Sequence, residues 1–409
     1  MVAAPKARQP NTGLITPPDG LEYASFTNGD GAAIRYASAK PPEHALVDGK
    51  PTGVVVLVTG FRESIERYYE RIREHQERGE VVYTMDWRGQ GGSQRYNSSL
   101  PQRPGAQGYE HDVADLDQFV TEVAQIEKNH PGIPKTLHAH SMGGNIALRY
   151  LHDKPGRFDN AVITSPMLGI NTGKSPKWLA KVAAKAIKFV SKHGEYGYMP
   201  GEKDWTEDTP LNPLSKAAKG RVMRLTLQDH FYRHIPEIRT GGATARWFLE
   251  ACRSVKILED PAYLRAIKTP VMLVVGERDD TVKPEAIIRA AKYLPNARLH
   301  RYKHVGHSPW MEKNAVREKL WGQVNDFLRD YRAGARTLSE PPRPDRKPRH
   351  AIWSLAKRLT SGPDSKPGQN ADWEAASPRQ SPVVANAAHD QTGRASQAEA
   401  SQRRRGLGA

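Results

Sequence analysis

Two rhythms of apolar residues alternate along this chain. Short unbroken apolar runs at 53–58, 81–85, 161–164 and 271–275 have the length of strands covered on both faces. Residues 298–302 read as one more strand, and the first half of the stretch 136–150 is short and apolar enough for a buried one. Between them lie segments with apolar positions at helical spacing. These are 65–76, 109–129 (Val113, Leu116, Phe119, Val120, Val123), the second half of 136–150, and 316–331 (Leu320, Trp321, Val324, Phe327, Leu328). Ahead of this series, 21–37 reads as a hairpin turning at Asn28-Gly29-Asp30-Gly31. Alternating strands and helices predict an α/β fold with a mostly parallel, doubly covered sheet. Right-handed crossovers then gather the strands' C-terminal ends on one edge, where open sheets bind ligands.

Two regions break the rhythm. Residues 168–260 are helical and very basic without strands, and their place between two strands predicts an inserted helical cap over that edge. The core is then 21–167 with 261–332, preceded by a flexible arm, 1–20. Residues 333–409 are rich in Pro, Ser and Arg, poor in apolar residues, and read as a disordered basic tail with thirteen Lys/Arg against seven Asp/Glu. Within it, 351–359 has the pattern of a transient basic helix. A solubilising role is the simplest reading of this tail. No internal repeat is visible.

Composition narrows the picture. One cysteine, Cys252, rules out an internal disulfide and fits a reducing compartment; its expected role is that of a small buried residue. The N-terminal segment lacks the apolar run of a secretory signal, and no run reaches the length of a membrane span. The expected location is cytoplasmic. The formal net charge of +16 and a pI near 9.7 favour anionic surfaces. No zinc-ligand spacing, phosphate loop or dinucleotide turn is present, so neither metal nor cofactor is expected.

The chemistry begins at Ala139-His140-Ser141-Met142-Gly143-Gly144. A serine in a sharp strand-to-helix turn between small residues is a nucleophile elbow, normally Gly-x-Ser-x-Gly, with Ala139 here in the first position. Serine needs a base, and in this architecture an acid and then a histidine follow it in the chain. Asp279 directly follows the 271–275 strand and His307 directly follows the 298–302 strand, so both fall on the sheet edge that carries Ser141. Asp280 and His304 are the alternatives; His138 and His140 read as structural. The oxyanion of a tetrahedral intermediate needs two donors. The backbone N–H groups of Met142 and Phe61, the latter in the loop after 53–58, are the candidates.

Together with Asp86-Trp87-Arg88-Gly89-Gln90-Gly91-Gly92-Ser93, Ser165-Pro166-Met167-Leu168-Gly169 and Thr59-Gly60-Phe61-Arg62-Glu63, these residues resemble the α/β-hydrolase superfamily. More narrowly, they resemble its bacterial lysophospholipase and monoacylglycerol lipase group, over about residues 20–332. Gly241-Gly242-Ala243-Thr244-Ala245-Arg246-Trp247 is similar to the lysophospholipase branch. The resemblance implies a triad of Ser141, Asp279 and His307 with Phe61 and Met142 as oxyanion donors. Glu312 matches a recurrent acidic position, and capping the last helix is its simplest role. Thr59 stands where the group usually has His, and Arg62 where it has a second Gly.

The implied activity is a serine hydrolase cleaving esters of single-chain lipids, lysophospholipid or monoacylglycerol. The same triad would also serve an acyltransferase, a thioesterase or an esterase on small soluble esters. An interaction protein on a hydrolase scaffold is the third reading, and the intact Ser, Asp and His argue against it. In 174–192 five lysines share one side of a helix and Trp178, Leu179, Val182, Ile187, Phe189 and Val190 the other. That pattern predicts either a cap helix packed on the core or peripheral contact with an anionic membrane surface; nucleic acid is not the expected partner.

Overall fold

Among the described residues eight strands form one sheet: β1 (Glu22–Thr27), β2 (Ala33–Ala39), β3 (Gly53–Val58), β4 (Glu80–Met85), β5 (Lys135–His140), β6 (Asn160–Thr164), β7 (Val271–Gly276) and β8 (Ala297–Tyr302). Their order is β1-β2-β4-β3-β5-β6-β7-β8. The β1–β2 and β2–β4 pairs are antiparallel and every other pair is parallel. The computed structural model describes residues 12–173, 175–208 and 221–332. The tail, most of the N-terminal arm and the 351–359 helix therefore lie outside the described residues.

Among the described residues ten α-helices accompany the sheet. They are α1 (Tyr69–Gln76), α2 (Tyr109–Gln118), α3 (Ile126–Asn129), α4 (Ser141–Asp153), α5 (Lys177–Val190), α6 (Arg221–His234), α7 (Ala245–Leu258), α8 (Pro261–Ala266), α9 (Pro284–Ala291) and α10 (Asn314–Arg332). The unbroken apolar strands β3 and β7 are buried at every residue, as coverage on both faces requires. One apolar cluster joins β3, β5, β6 and β7 to α2, α4, α7 and α9. On the opposite face, α1 packs with Leu14, Ile15 and Phe231, and α10 buries Leu320, Trp321, Val324 and Phe327 against β7 residues.

Two expectations meet different structure. The helix read over 109–129 is interrupted: a π turn at Phe119–Val123 passes through Ala124 N–H to Phe119 C=O, and Gln125 is left-handed at φ 45°. Phe119 sits at the break, fully buried between the Phe26 and Tyr36 rings of the hairpin, at centroid distances of 6.0 and 5.4 Å. Burying that ring outranks an unbroken i→i−4 ladder. Residues 12–20, read as part of a loose arm, carry a 3₁₀ turn (Thr12–Leu14) that Arg73 pins through the carbonyls of Gly13 and Thr16.

The segment between β6 and β7 is helical in its described part and unevenly packed. Its α7 buries Trp247, Phe248, Ala251, Cys252 and Val255 in the same cluster as the sheet. By contrast, α5 buries only Ala184 and leaves Trp178, Val182, Phe189 and Val190 exposed, so most of its apolar face has no core beneath it.

Candidate active site

β5, β7 and β8 each end at the same sheet edge, and each is followed there by one residue of the expected triad. Ser141 opens α4 directly after β5. Its φ of 52° is left-handed, a strain of about 1–3 kcal/mol for a residue with a Cβ. The corner closes because its flanks are small. A Cβ on Gly143 would lie 2.4 Å from the Thr59 carbonyl oxygen, so α4 approaches the loop after β3 only through glycine. Ala139 is buried and accommodated in β5.

Ser141 Oγ lies 2.9 Å from His307 Nε2, and His307 Nδ1 lies 2.8 Å from Asp279 Oδ2. With the serine hydroxyl donating to Nε2, the ring proton sits on Nδ1 and is donated to the carboxylate. The other Asp279 oxygen accepts the N–H groups of Thr281 and Val282, each at 2.9 Å. Burial pushes the Asp279 carboxyl up, but the adjoining His307 ring and these two N–H groups outweigh it and hold the carboxyl below its ordinary range. Asp280 and His304, the alternatives in sequence, are both exposed.

The two neighbouring histidines are buried for other reasons. His138 Nδ1 accepts from the Arg71 guanidinium at 2.8 Å. His140 Nδ1 lies 3.0 Å from Thr164 Oγ1, and burial drives its pKa down to about 4, so the ring stays neutral beside His307. Met142 occupies the second position of α4, where a helix leaves its N–H without an intrahelical acceptor. Phe61 follows Gly60 in the loop after β3, and a Cβ on Gly60 would lie 3.2 Å from Ser141 Cβ, so this loop runs alongside the serine.

That loop is held by residues whose roles the sequence did not disclose. Arg62, standing where the resembled group has glycine, adopts φ 62°, the conformation glycine tolerates best. Its N–H donates to Gln90 Oε1 at 2.9 Å, and its carbonyl accepts from the Tyr232 hydroxyl at 2.8 Å. The buried Glu63 carboxylate accepts Gly60 N–H at 2.6 Å and the Tyr68 hydroxyl at 2.5 Å. The available signal was an acidic residue immediately after the loop, but only folding brings Tyr68 and Gly60 to the same oxygen.

From Ser141 a cavity of about 580 Å³ runs beneath α5, within the ~300–1,000 Å³ of small-molecule pockets. Phe61, Met167, Leu179, Met199 and Trp247 make its walls largely apolar. The Phe61 and Trp247 rings stack at 3.8 Å between centroids.

A family model described as serine aminopeptidase, S33, matches residues 49–314. The chain belongs to this hydrolase family. Among relatives of this S33-family chain, a probable lysophospholipase L2 of Haemophilus influenzae is 26% identical over 300 residues, covering 72% of this chain and 88% of the relative. The lysophospholipase L2 of Escherichia coli K12 is 27% identical over 320 residues, covering 75% and 87%. The crystal structure of a soluble variant of Saccharomyces cerevisiae monoglyceride lipase with a substrate analog superposes with a TM-score of 0.60 at 21% identity, over 80% of this chain and 99% of that one. That likeness establishes the α/β-hydrolase fold for the S33-family chain. Among the described residues no group of three His, Cys, Asp or Glu side chains lies close enough to hold a metal, and no helix is long and apolar enough to cross a membrane.

Proposed function

We propose that this protein hydrolyses the carboxylic ester of single-chain lipids through an acyl-enzyme on Ser141. The observation that carries the reading is the unbroken relay from Ser141 Oγ through His307 to Asp279, opening into an apolar cavity. His307 Nε2 takes the serine proton as Oγ attacks the ester carbonyl. Asp279 holds the ring and stabilises the imidazolium. The N–H groups of Phe61 and Met142 receive the oxyanion. Collapse expels the alcohol, which takes the proton from Nε2. Water then attacks the acyl-enzyme with His307 again as base, releasing the fatty acid and free Ser141.

The names of the two bacterial relatives support a lipid ester as substrate. The segment 168–260 serves as the cap that shapes the lipid site. Its helix α5 supplies the peripheral contact with anionic membrane: Trp178, Phe189 and Val190 are exposed beside Lys181, Lys185 and Lys188. The test is a hydrolysis panel of lysophospholipids, monoacylglycerols, diacyl lipids and short soluble esters, with Ser141→Ala as control. Single-chain lipids cleaved in a Ser141-dependent way are the expected result; full turnover by Ser141→Ala would end the proposal. Replacing Lys181, Lys185 and Lys188 by Glu is expected to weaken binding to anionic vesicles, and unchanged binding would remove the membrane role.

A further inference from the structure

The glycine pair at 241–242 has no part in the relay, yet it shapes the lipid cavity. Tyr198 bridges Thr244, Met199 N–H donates to the Ala243 carbonyl at 2.9 Å, and Gly242 N–H donates to the Lys203 carbonyl at 2.9 Å. These bonds fix the turn in which Glu202 N–H returns to the Met199 carbonyl at 2.9 Å. The turn lays the Glu202 side chain across Gly242. A Cβ at Gly242 would fall 1.9 Å from Glu202 Oε2 and 2.7 Å from its Cβ, so only glycine leaves room for the carboxylate there. Ala243 N–H donates to the same Oε2 at 3.3 Å. Glu202 is thereby seated in the lining of the cavity that Ser141 enters, and among the described residues it is the one acid or base in that lining.

The local sign opposes the global one. The chain carries a formal +16 and draws anions toward its surface. In the cavity lining, among the described residues, the one charge is a carboxylate on an exposed side chain, and a phosphate entering beside it meets a repulsion that solvent weakens but does not abolish. A glycerol head group meets a hydrogen-bond acceptor instead.

We infer that Glu202, seated on Gly242, is a specificity-determining residue that selects esters of uncharged alcohols such as glycerol over esters whose alcohol bears a phosphate. This rests on the ester-hydrolase reading above. It divides the two lipid classes that the triad alone treats alike, because the chemistry at the ester carbonyl is the same for both.

The experiment compares kcat/KM for two substrates with one short acyl chain: a monoacylglycerol and its glycerol-phosphate counterpart. Both are kept monomeric, so that the basic surface and charged aggregates do not enter. The expected result is a ratio of anionic to neutral substrate that rises about threefold to tenfold in Glu202→Gln and further in Glu202→Lys, the size of effect one charge exerts across a wet cavity. Gly242→Ala moves the ratio the same way by displacing the carboxylate. Salt at about 0.5 M raises the ratio for the natural protein and not for Glu202→Gln. A ratio that stays within about twofold across all three variants, with turnover still dependent on Ser141, overturns the inference and leaves the ester-hydrolase reading standing. Failure of the natural protein to cleave either ester, or turnover that survives Ser141→Ala, overturns that reading and the inference together.

Discussion

The sheet edge at Ser141 and the helix α5 above it are built on opposite terms. At the edge the proposed reacting side chains and the loop beside them are each tied to a partner: Ser141 to His307, His307 to Asp279, Asp279 to two N–H groups, Glu63 to Gly60 and Tyr68. The backbone is locked there by contacts too close for a side chain, as between Gly143 and the Thr59 carbonyl. Helix α5 buries a single alanine and presents Phe189 at 84% exposure and Val190 at 80%. A site that must hold reacting atoms to a fraction of an ångström needs over-determined geometry. A surface that meets varied lipid needs apolar area and charge, and few fixed contacts. On the function proposed above, the contrast assigns rate to the edge and access to α5.

The sharpest way to break that assignment is at the edge. Ser141→Ala is expected to lower kcat by at least about 10⁴-fold, since members of a triad act as a unit. Steady-state kinetics on a soluble ester would measure this, and a residual rate near that of the natural protein would dissolve the contrast. Asp279→Asn should cost about 10⁴-fold in kcat by stabilising the wrong His307 tautomer, with the fold preserved by circular dichroism. Gly143→Ala pushes α4 off the Thr59 carbonyl and shifts the loop that carries Phe61; about 10–100-fold in kcat is expected, with little change in KM. An unaltered kcat would show that the close approach does not set the oxyanion geometry.

Weaker effects sharpen the comparison. The pKa of His140 is depressed by burial to about 4 in the folded chain. Between the ordinary value of about 6.5 and that value, the unfolded chain binds the extra proton, so stability is full above pH ~6.5 and falls as pH drops toward 4. The loss reaches about 3 kcal/mol, and denaturant unfolding of His140→Gln should show a correspondingly shallower decline over that window. Equal slopes would remove His140 from the acid sensitivity of the edge. The smallest effect belongs to α5: Phe189→Ser should weaken vesicle binding about tenfold, from lost apolar burial, without changing turnover of a soluble ester. Loss of soluble turnover would mean that α5 serves the edge after all.

Most of the edge was legible in the sequence, because its logic is local and ordered. An unbroken apolar run is a buried strand, and the residue after a parallel strand lies on the binding edge whatever the rest of the chain does. Asp279 follows such a run; Ser141 and His307 follow the more polar strands KTLHAH and ARLHRY, which the alternation with helices still marked as strands. The break at Phe119 was illegible, since helical spacing cannot announce that one ring is held between Phe26 and Tyr36 on a hairpin some eighty residues away.

The amino-acid sequence by itself determined the alternation of strands and helices, the order Ser, Asp, His, and the amphipathic pattern of 174–192. Each is a property of residues close together in the chain. Only the tertiary structure decided which acid and which histidine meet, that Arg62 takes a glycine's conformation, that most of the apolar face of α5 faces outward, and that Glu202 rests on Gly242 inside the cavity. Those outcomes depend on distances between segments 28 to more than a hundred residues apart in sequence. Such distances are set by the packing of the whole chain, and no local pattern carries them.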